Sequence, residues 1–494
     1  MQNSRLIEIL KSFDKSELKL FEKFLDSSFV KSRRVIKPVL KYISGFHPDF
    51  ASSDLDKKRV SEKLFPGEAY SEKKIINLMG DLTKECENFL KHKTLDDDEI
   101  TSMLLTSKEF FKKKLFRHSF RIAEGISKKI TSGFSPGKDY FSKLRQLLFL
   151  KSSYYITVND YGKMIDCKKD FFEASAAQFI IDLIQIRSSM DPALITYGKK
   201  IENDFIKALT ESFDIDLFFE KLEKSNYAHK SLIDIHYFLF KTLEIPEEKK
   251  YYFLLRDLFY GNTKNFDREE KYFLFNHLAN YCSNEVSKRN EEFYFEALDV
   301  YKQMLKNEAY SFSESEYMQT VTYRNIIYYC NTVKDDKWFE HFIDKYSGVI
   351  APRHREEMKN FALANLYFLR KEFENSLMSI SRITYEFFLF KPDLKNLMLK
   401  VYYELEYFEQ AYSLIDTYKH YLSGTKEISE SYKVFYRNFV NRYLELIKIK
   451  TGTGRRQTGY LKSKIVKENK IVNKIWLLEK VEELILKNNS QKKD

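Results

Sequence analysis

The chain has 494 residues, of which only 14 are glycine and 8 are proline, a scarcity that disfavours hairpin-rich sheets and nucleotide-cradling loops and favours long helices. With 43% hydrophobic and 31% charged residues it reads as a folded protein, and its length suits either several folding units or one extended repeat array. The formal charge is +11, the four cysteines are far apart with no CxxC, and no uncharged apolar run is long enough to cross a bilayer, so a zinc site, a disulfide framework and a membrane span are not expected.

The opening "MQNSRLIEILKSF" is interrupted by Glu8 and Lys11 and predicts no signal peptide; a reducing cytoplasm is the expected compartment. Residues 1–93 predict an N-terminal helical unit. Asp14 followed by Glu17 has capping-box spacing, and Leu18, Phe21, Phe24 and Leu25 then fall on one helix face. Ser71 is the expected cap of a second helix, with Ile75, Met79, Leu82, Cys86, Phe89 and Leu90 as its apolar stripe. The acidic "TLDDDEI" at 94–100 predicts a boundary, its carboxylates favouring the N-terminus of the next helix. Aromatics, 43 Phe and 34 Tyr, are read as core fillers that replace leucine and alanine at helix interfaces.

From 100 to 447 the pattern is a succession of helix pairs, clearest over 361–422. "FALANLYFLRKEFENSLMSISRI" and "LMLKVYYELEYFEQAYSLIDTYKHYL" each give an apolar helix, a short turn, an aromatic and a second apolar helix, with Ser376 and Ala411 equivalent and 35 residues apart. Looser copies centre on Ala297 and His341. The segment "YYELEYFEQAYSLID" resembles the turn of a tetratricopeptide repeat: Tyr402 matches the large residue late in the first helix, Phe408 the aromatic after the turn, and Ala411 the small residue at the crossing. Tyr367, Phe373 and Ser376 match in the preceding copy. The turn glycine is missing and the spacings drift, so the resemblance implies an all-α, irregular tetratricopeptide-like α-solenoid; none of the polar residues that clamp peptide tails in that family is matched. The two ends, through "FEKFLDSSF", "KLFPGEAYSEKKIINLMGDL" and "IWLLEKVEEL", also resemble an uncharacterised bacterial family of helical-repeat proteins, which carries no function across.

No nucleophile elbow or paired-histidine metal motif occurs. His229 and His236 lie two turns apart, and Asp214 and Asp216 are spaced to point away from each other on a helix. No catalytic residue, cofactor or metal is expected.

The positive charge is concentrated. Lys448 to Lys474 holds seven lysines and two arginines against one acid, Glu468, and a smaller cluster runs from Lys108 to Lys129. Within the first lies "TGTGRRQTG" at 451–459. The residues after Gly459 are not the Lys-Ser/Thr of a phosphate loop, and the preceding segment is helical, which excludes a dinucleotide fingerprint. Two readings of this basic Gly/Arg loop, 448–470, stay open. It is a solvated connection in which Gly452 or Gly454 ends a helix in a left-handed cap, or it is a patch of Arg455, Arg456, Tyr460, Lys462, Lys464 and Lys467 for nucleic acid or an acidic protein. Residues 471–488 predict a capping helix with Ile471, Ile475, Leu478, Val481 and Ile485 on its apolar face, widened by Val472, Trp476 and Leu477. The expected function is a non-catalytic scaffold for a protein partner, with nucleic-acid binding through 448–474 as the alternative and an enzyme with a site between repeats as the remotest.

Overall fold

A computed structural model describes residues 4–27, 33–131, 139–197, 205, 208, 212–225, 227, 229–313, 316–384, 390–425, 430–452 and 458–490. Among these the chain is all-helical, with helices packed in neighbouring pairs, no strand, and one isolated bridge between Met318 and Ile350. It divides into two compact units, Met1–Leu183 and Ile184–Asp494.

The first unit starts with α1 (Arg5–Ser12), α2 (Lys15–Leu25), α3 (Arg33–Ser44), α4 (Lys57–Leu64) and α5 (Glu72–Asp97). The Asp14–Glu17 capping box forms: Asp14 accepts from the Glu17 amide at 2.8 Å while its own amide donates to the Glu17 carboxylate at 3.0 Å. Ser71 caps α5 through the Lys74 amide. Leu18, Phe21 and Leu25 bury against Ile75, Met79, Leu82, Cys86 and Phe89 in one core, whereas Leu90 lies outside it and is exposed. The acidic stretch expected as a boundary is helical on both sides of Asp98. Helix α5 runs through it to Asp97, and Asp98 caps α6 (Glu99–Lys112) by accepting from the Thr101 amide at 3.0 Å. The two helices therefore follow without a break, although the helices from α6 onward build a separate core of Ile100, Leu104, Ala123, Ile126, Leu147 and Leu150. This core joins α6 to α7 (Phe116–Thr131) and α8 (Tyr140–Thr157), and α9 (Tyr161–Tyr197) follows.

The second unit continues with α10 (Ile215–Glu223), α11 (Lys230–Glu244), α12 (Lys249–Asn262), α13 (Arg268–Ser287), α14 (Glu292–Lys306), α15 (Thr320–Val333), α16 (Asp336–Tyr346), α17 (Pro352–Leu369), α18 (Phe373–Ser381), α19 (Phe390–Glu404), α20 (Phe408–Gly424), α21 (Glu430–Lys450), α22 (Thr458–Lys467) and α23 (Lys474–Ser490).

One turn recurs through both units. Lys114, Asn159, Arg289, Glu308, Lys334, Lys371 and Glu406 all take left-handed φ values, from 54° to 73°. After each, the next amide reaches back to a carbonyl five residues earlier: Leu115 to Phe110, Asp160 to Tyr155, Asn290 to Glu285, Ala309 to Met304, Asp335 to Cys330, Glu372 to Tyr367 and Tyr407 to Tyr402. This is the six-to-one bond of a Schellman cap, built on residues other than glycine. It explains the missing turn glycine: the conformation is kept at a steric cost of about 1–2 kcal/mol per residue.

At three of these seven turns a small buried residue follows at the same distance. Five residues after the left-handed position come Ser119, Ser376 and Ala411, all buried. The Ser376 hydroxyl donates to the Ala364 carbonyl at 2.7 Å, and the Ser107 hydroxyl to the Ser119 carbonyl at 3.0 Å, each bond pinning the second helix of a pair to the first. After Lys334 the same position is Phe339, which is fully buried, while His341, expected near the crossing, is exposed. The turn begins two residues earlier than the aromatic spacing around Trp338 implies, and this rotates His341 outward.

The last helix differs from expectation in one respect. Helix α23 begins at Lys474, after Asn473 with φ 52°, so Ile471 lies before it and the buried face is Trp476, Leu477 and Val481 with Ile475 exposed. That face joins a core containing Ala411, Tyr418, Phe439 and Tyr443. The C-terminal region also reaches far back along the chain. Lys334 pairs with Glu479 at 2.9 Å, Arg289 hydrogen-bonds Asn469, and Glu404 accepts from Trp476 Nε1 at 3.2 Å and pairs with Lys480 at 2.9 Å.

Candidate functional site

The basic segment 448–470 is not one loop. Helix α21 extends through Lys450 and α22 occupies Thr458–Lys467. Gly452 has φ 73° and its amide donates to the Ile449 carbonyl, so it provides the left-handed stop. Arg455, Arg456 and Gly454 lie outside the described residues.

Leu461 and Ile465 bury one face of α22, which turns Tyr460, Lys462, Lys464 and Lys467 toward its other sides. The structure brings acids to several of these cations from elsewhere in the chain. Lys462 pairs with Glu482 at 2.9 Å, Lys464 with Glu445 at 3.1 Å, and Lys450 with Glu406 at 3.2 Å. Lys464 also lies 4.5 Å above the Tyr460 ring, occupying one face of an aromatic that is otherwise well exposed. Lys474 donates to the Val466 and Glu468 carbonyls at 2.8 Å each, closing the C-terminal end of α22; burial, and then the nearby Arg289, hold its amine below the usual lysine range. Lys467 is exposed and has no ion pair among the described residues. The charge that is dense along the sequence is thus partly matched in space.

The other candidates resolve into structural roles. Asp214 caps α10 through the Leu217 amide at 2.9 Å, and Asp216 accepts from the Tyr237 hydroxyl at 2.8 Å and from Lys241 at 3.2 Å. His229 is the residue before α11, and His236 is buried with Nδ1 2.8 Å from the Leu232 carbonyl. All four cysteines are free and buried; burial pushes the Cys86 and Cys282 thiols up to about 12, so they are poor nucleophiles. Among the described residues no group of three or more His, Cys, Asp or Glu side chains could hold a metal ion, and no helix is long and apolar enough to cross a membrane.

One polar cluster was not foreseen from the sequence. Arg324 of α15 pairs with Asp393 of α19, and Lys400 of α19 lies 4.7 Å over the Phe368 ring with its amine buried. Burial lowers the Lys400 amine to about 8 against the opposing pull of Asp393, Glu404 and Glu479. Each of those acids already has a cation or indole partner, in Arg324, in Lys480 and Trp476, and in Lys334. The cluster ties α15, α19 and α23 together. Its members are 76 to 145 residues apart for the Glu404–Lys480 and Lys334–Glu479 pairs, which is why no local motif announces it. Comparison of the chain with protein-family models, with curated proteins and with solved structures finds no match.

Proposed function

We propose that the protein is a non-catalytic helical-repeat scaffold, tetratricopeptide-like in its paired helices, that binds another protein along its repeat surface. The observation that supports this most is the recurring Schellman turn followed five residues later by a small buried crossing residue, at Ser119, Ser376 and Ala411. Stacked helix pairs of this kind build extended binding surfaces in repeat proteins. The second unit also leaves large aromatics in water, among them Phe273, Phe295 and Tyr432, and aromatics of this kind are the anchors enriched at protein interfaces. The test is affinity capture at physiological salt, followed by reconstitution of the purified pair and hydrogen-exchange footprinting. Protection along the helices of the second unit, lost in Phe273→Ser with Phe295→Ser, supports the scaffold. Failure to recover any partner that rebinds as a purified protein rejects it.

A further inference from the structure

We propose that the α6–α7 hairpin carries a site for the sugar-phosphate backbone of a nucleic acid, formed by Lys114, Arg117, Arg121 and Lys128. This inference is independent of the scaffold reading and rests on a different part of the chain from the C-terminal basic segment.

Between Phe110 and Ala123 the sequence contains Lys112, Lys113, Lys114, Arg117 and Arg121 and no acid. All five are exposed. Glu109 lies 3.5 Å from Lys112 and 3.9 Å from Lys113, while Lys114, Arg117, Arg121 and Lys128 have no ion pair among the described residues. The contrast with α22 is direct: there Lys462 and Lys464 are matched by the chain's own carboxylates.

Three of the four cations align: at helical spacing, positions 117, 121 and 128 of α7 share one face, opposite the buried Ser119, Ala123 and Ile126, and Lys114 stands in the turn that precedes them. From Arg117 to Lys128 the helix rises about 16 Å, the length of about five phosphates on one strand. The one acid within α7, Glu124, is held by Lys151 at 2.8 Å. The Schellman turn at Lys114 and the buried hydroxyl pair of Ser107 and Ser119, 2.9 Å apart, hold the backbone of the hairpin, so binding has to order only the side chains of the row.

The same charges could meet an anionic membrane. An interfacial helix, however, needs large apolar side chains on its docking face, and this row has none; Leu115 is exposed but sits at the turn, to one side. A linear polyanion is the better match.

The test uses the full chain and a fluorescein-labelled oligo-deoxythymidine of about 30 nucleotides, read by anisotropy across about 25–200 mM salt. The expected result is low-salt binding that weakens steeply with salt. Arg117→Glu with Arg121→Glu weakens it at least about tenfold, and Arg117→Gln with Arg121→Gln lowers the log–log salt slope by about 1.4. Lys462→Glu with Lys464→Glu stays within about twofold of the parent. Circular dichroism checks folding, and if the double Glu variant is unfolded the Gln pair decides. The proposal is overturned by absence of binding at the lowest salt, by equal binding of a folded hairpin variant, by loss of binding in the α22 variant instead, or by uptake onto phosphatidylserine vesicles without oligonucleotide binding.

Discussion

Lys371 offers a clean test of the left-handed turn that recurs between helices. Its φ is 64°, its side chain is exposed, and it makes no side-chain hydrogen bond or ion pair among the described residues. Replacing it with glycine removes a left-handed strain of about 1–2 kcal/mol, and the extra freedom of glycine in the unfolded chain returns about 0.5–1 kcal/mol. The net expected gain is about 0.5–1 kcal/mol, whereas Lys371→Ala keeps the strained φ and gains nothing. The chain has two tryptophans, Trp338 and Trp476, and both belong to the second unit, so intrinsic fluorescence during urea unfolding reports on that unit. With a slope of about 4 kcal/mol/M, above the small-protein range because the slope grows with buried surface, Lys371→Gly raises the midpoint by about 0.1–0.3 M. Glu406→Gly should gain less, since it also gives up the ion pair with Lys450. A midpoint that falls in Lys371→Gly, or that rises equally in Lys371→Ala, refutes the claim that the turn is strained and held by its surroundings.

Three further outcomes follow from the packing. Burial depresses His277 to about 4, with Nε2 2.7 Å from the Thr242 hydroxyl, so its neutral form favours the folded state; that stability is complete above pH 6.5 and is lost by up to about 3 kcal/mol as pH falls toward 4, a slope that the difference between parent and His277→Gln in acid titrations of stability should isolate. Lys400 is lowered to about 8, so its buried charge opposes folding below pH 8 and ceases to do so above about 10.5; Lys400→Met should therefore raise the urea midpoint at pH 7 by the equivalent of about 1–3 kcal/mol, an advantage that disappears at high pH. Ser376→Leu places a large side chain at a fully buried crossing and removes the bond to Ala364, so thermal unfolding should show a loss of about 2–4 kcal/mol, against about 1 kcal/mol or less for Ser376→Ala.

Local chemistry was readable in advance where the signal is itself local. Asp14 with Glu17 and Ser71 as a cap each depend on a side chain acting within one turn and are found as expected, and of the two glycines offered as a left-handed stop Gly452 takes that conformation. The repeat at 361–422 was legible because Phe373 precedes Ser376, and Phe408 precedes Ala411, by the same three residues. The same signal is present at Phe116 and Ser119, yet the lysine-rich tip around it reads first as a charged surface, and that hairpin was missed. The turns themselves were hidden because lysine, glutamate and arginine occupy a conformation that sequence rules assign to glycine. Sequence alone could not show that part of the charge of 448–474 is matched. Its neutralising acids Glu406, Glu445 and Glu482 lie outside the segment and arrive only through tertiary packing.

The long-range ties of residues 469–490 bear on how this chain is made. Residues 289 and 334 meet partners 180 and 145 positions later, so at a synthesis rate of about 5–20 residues per second the middle of the second unit waits about 7–36 s for Asn469 and Glu479 to be synthesised. Phe439 and Tyr443, which Trp476 covers, wait less, about 2–7 s at the same rate. That part of the core closes only once Trp476 has emerged from the ribosome, so truncation before residue 474 should leave Phe439 and Tyr443 open to water and to chaperones.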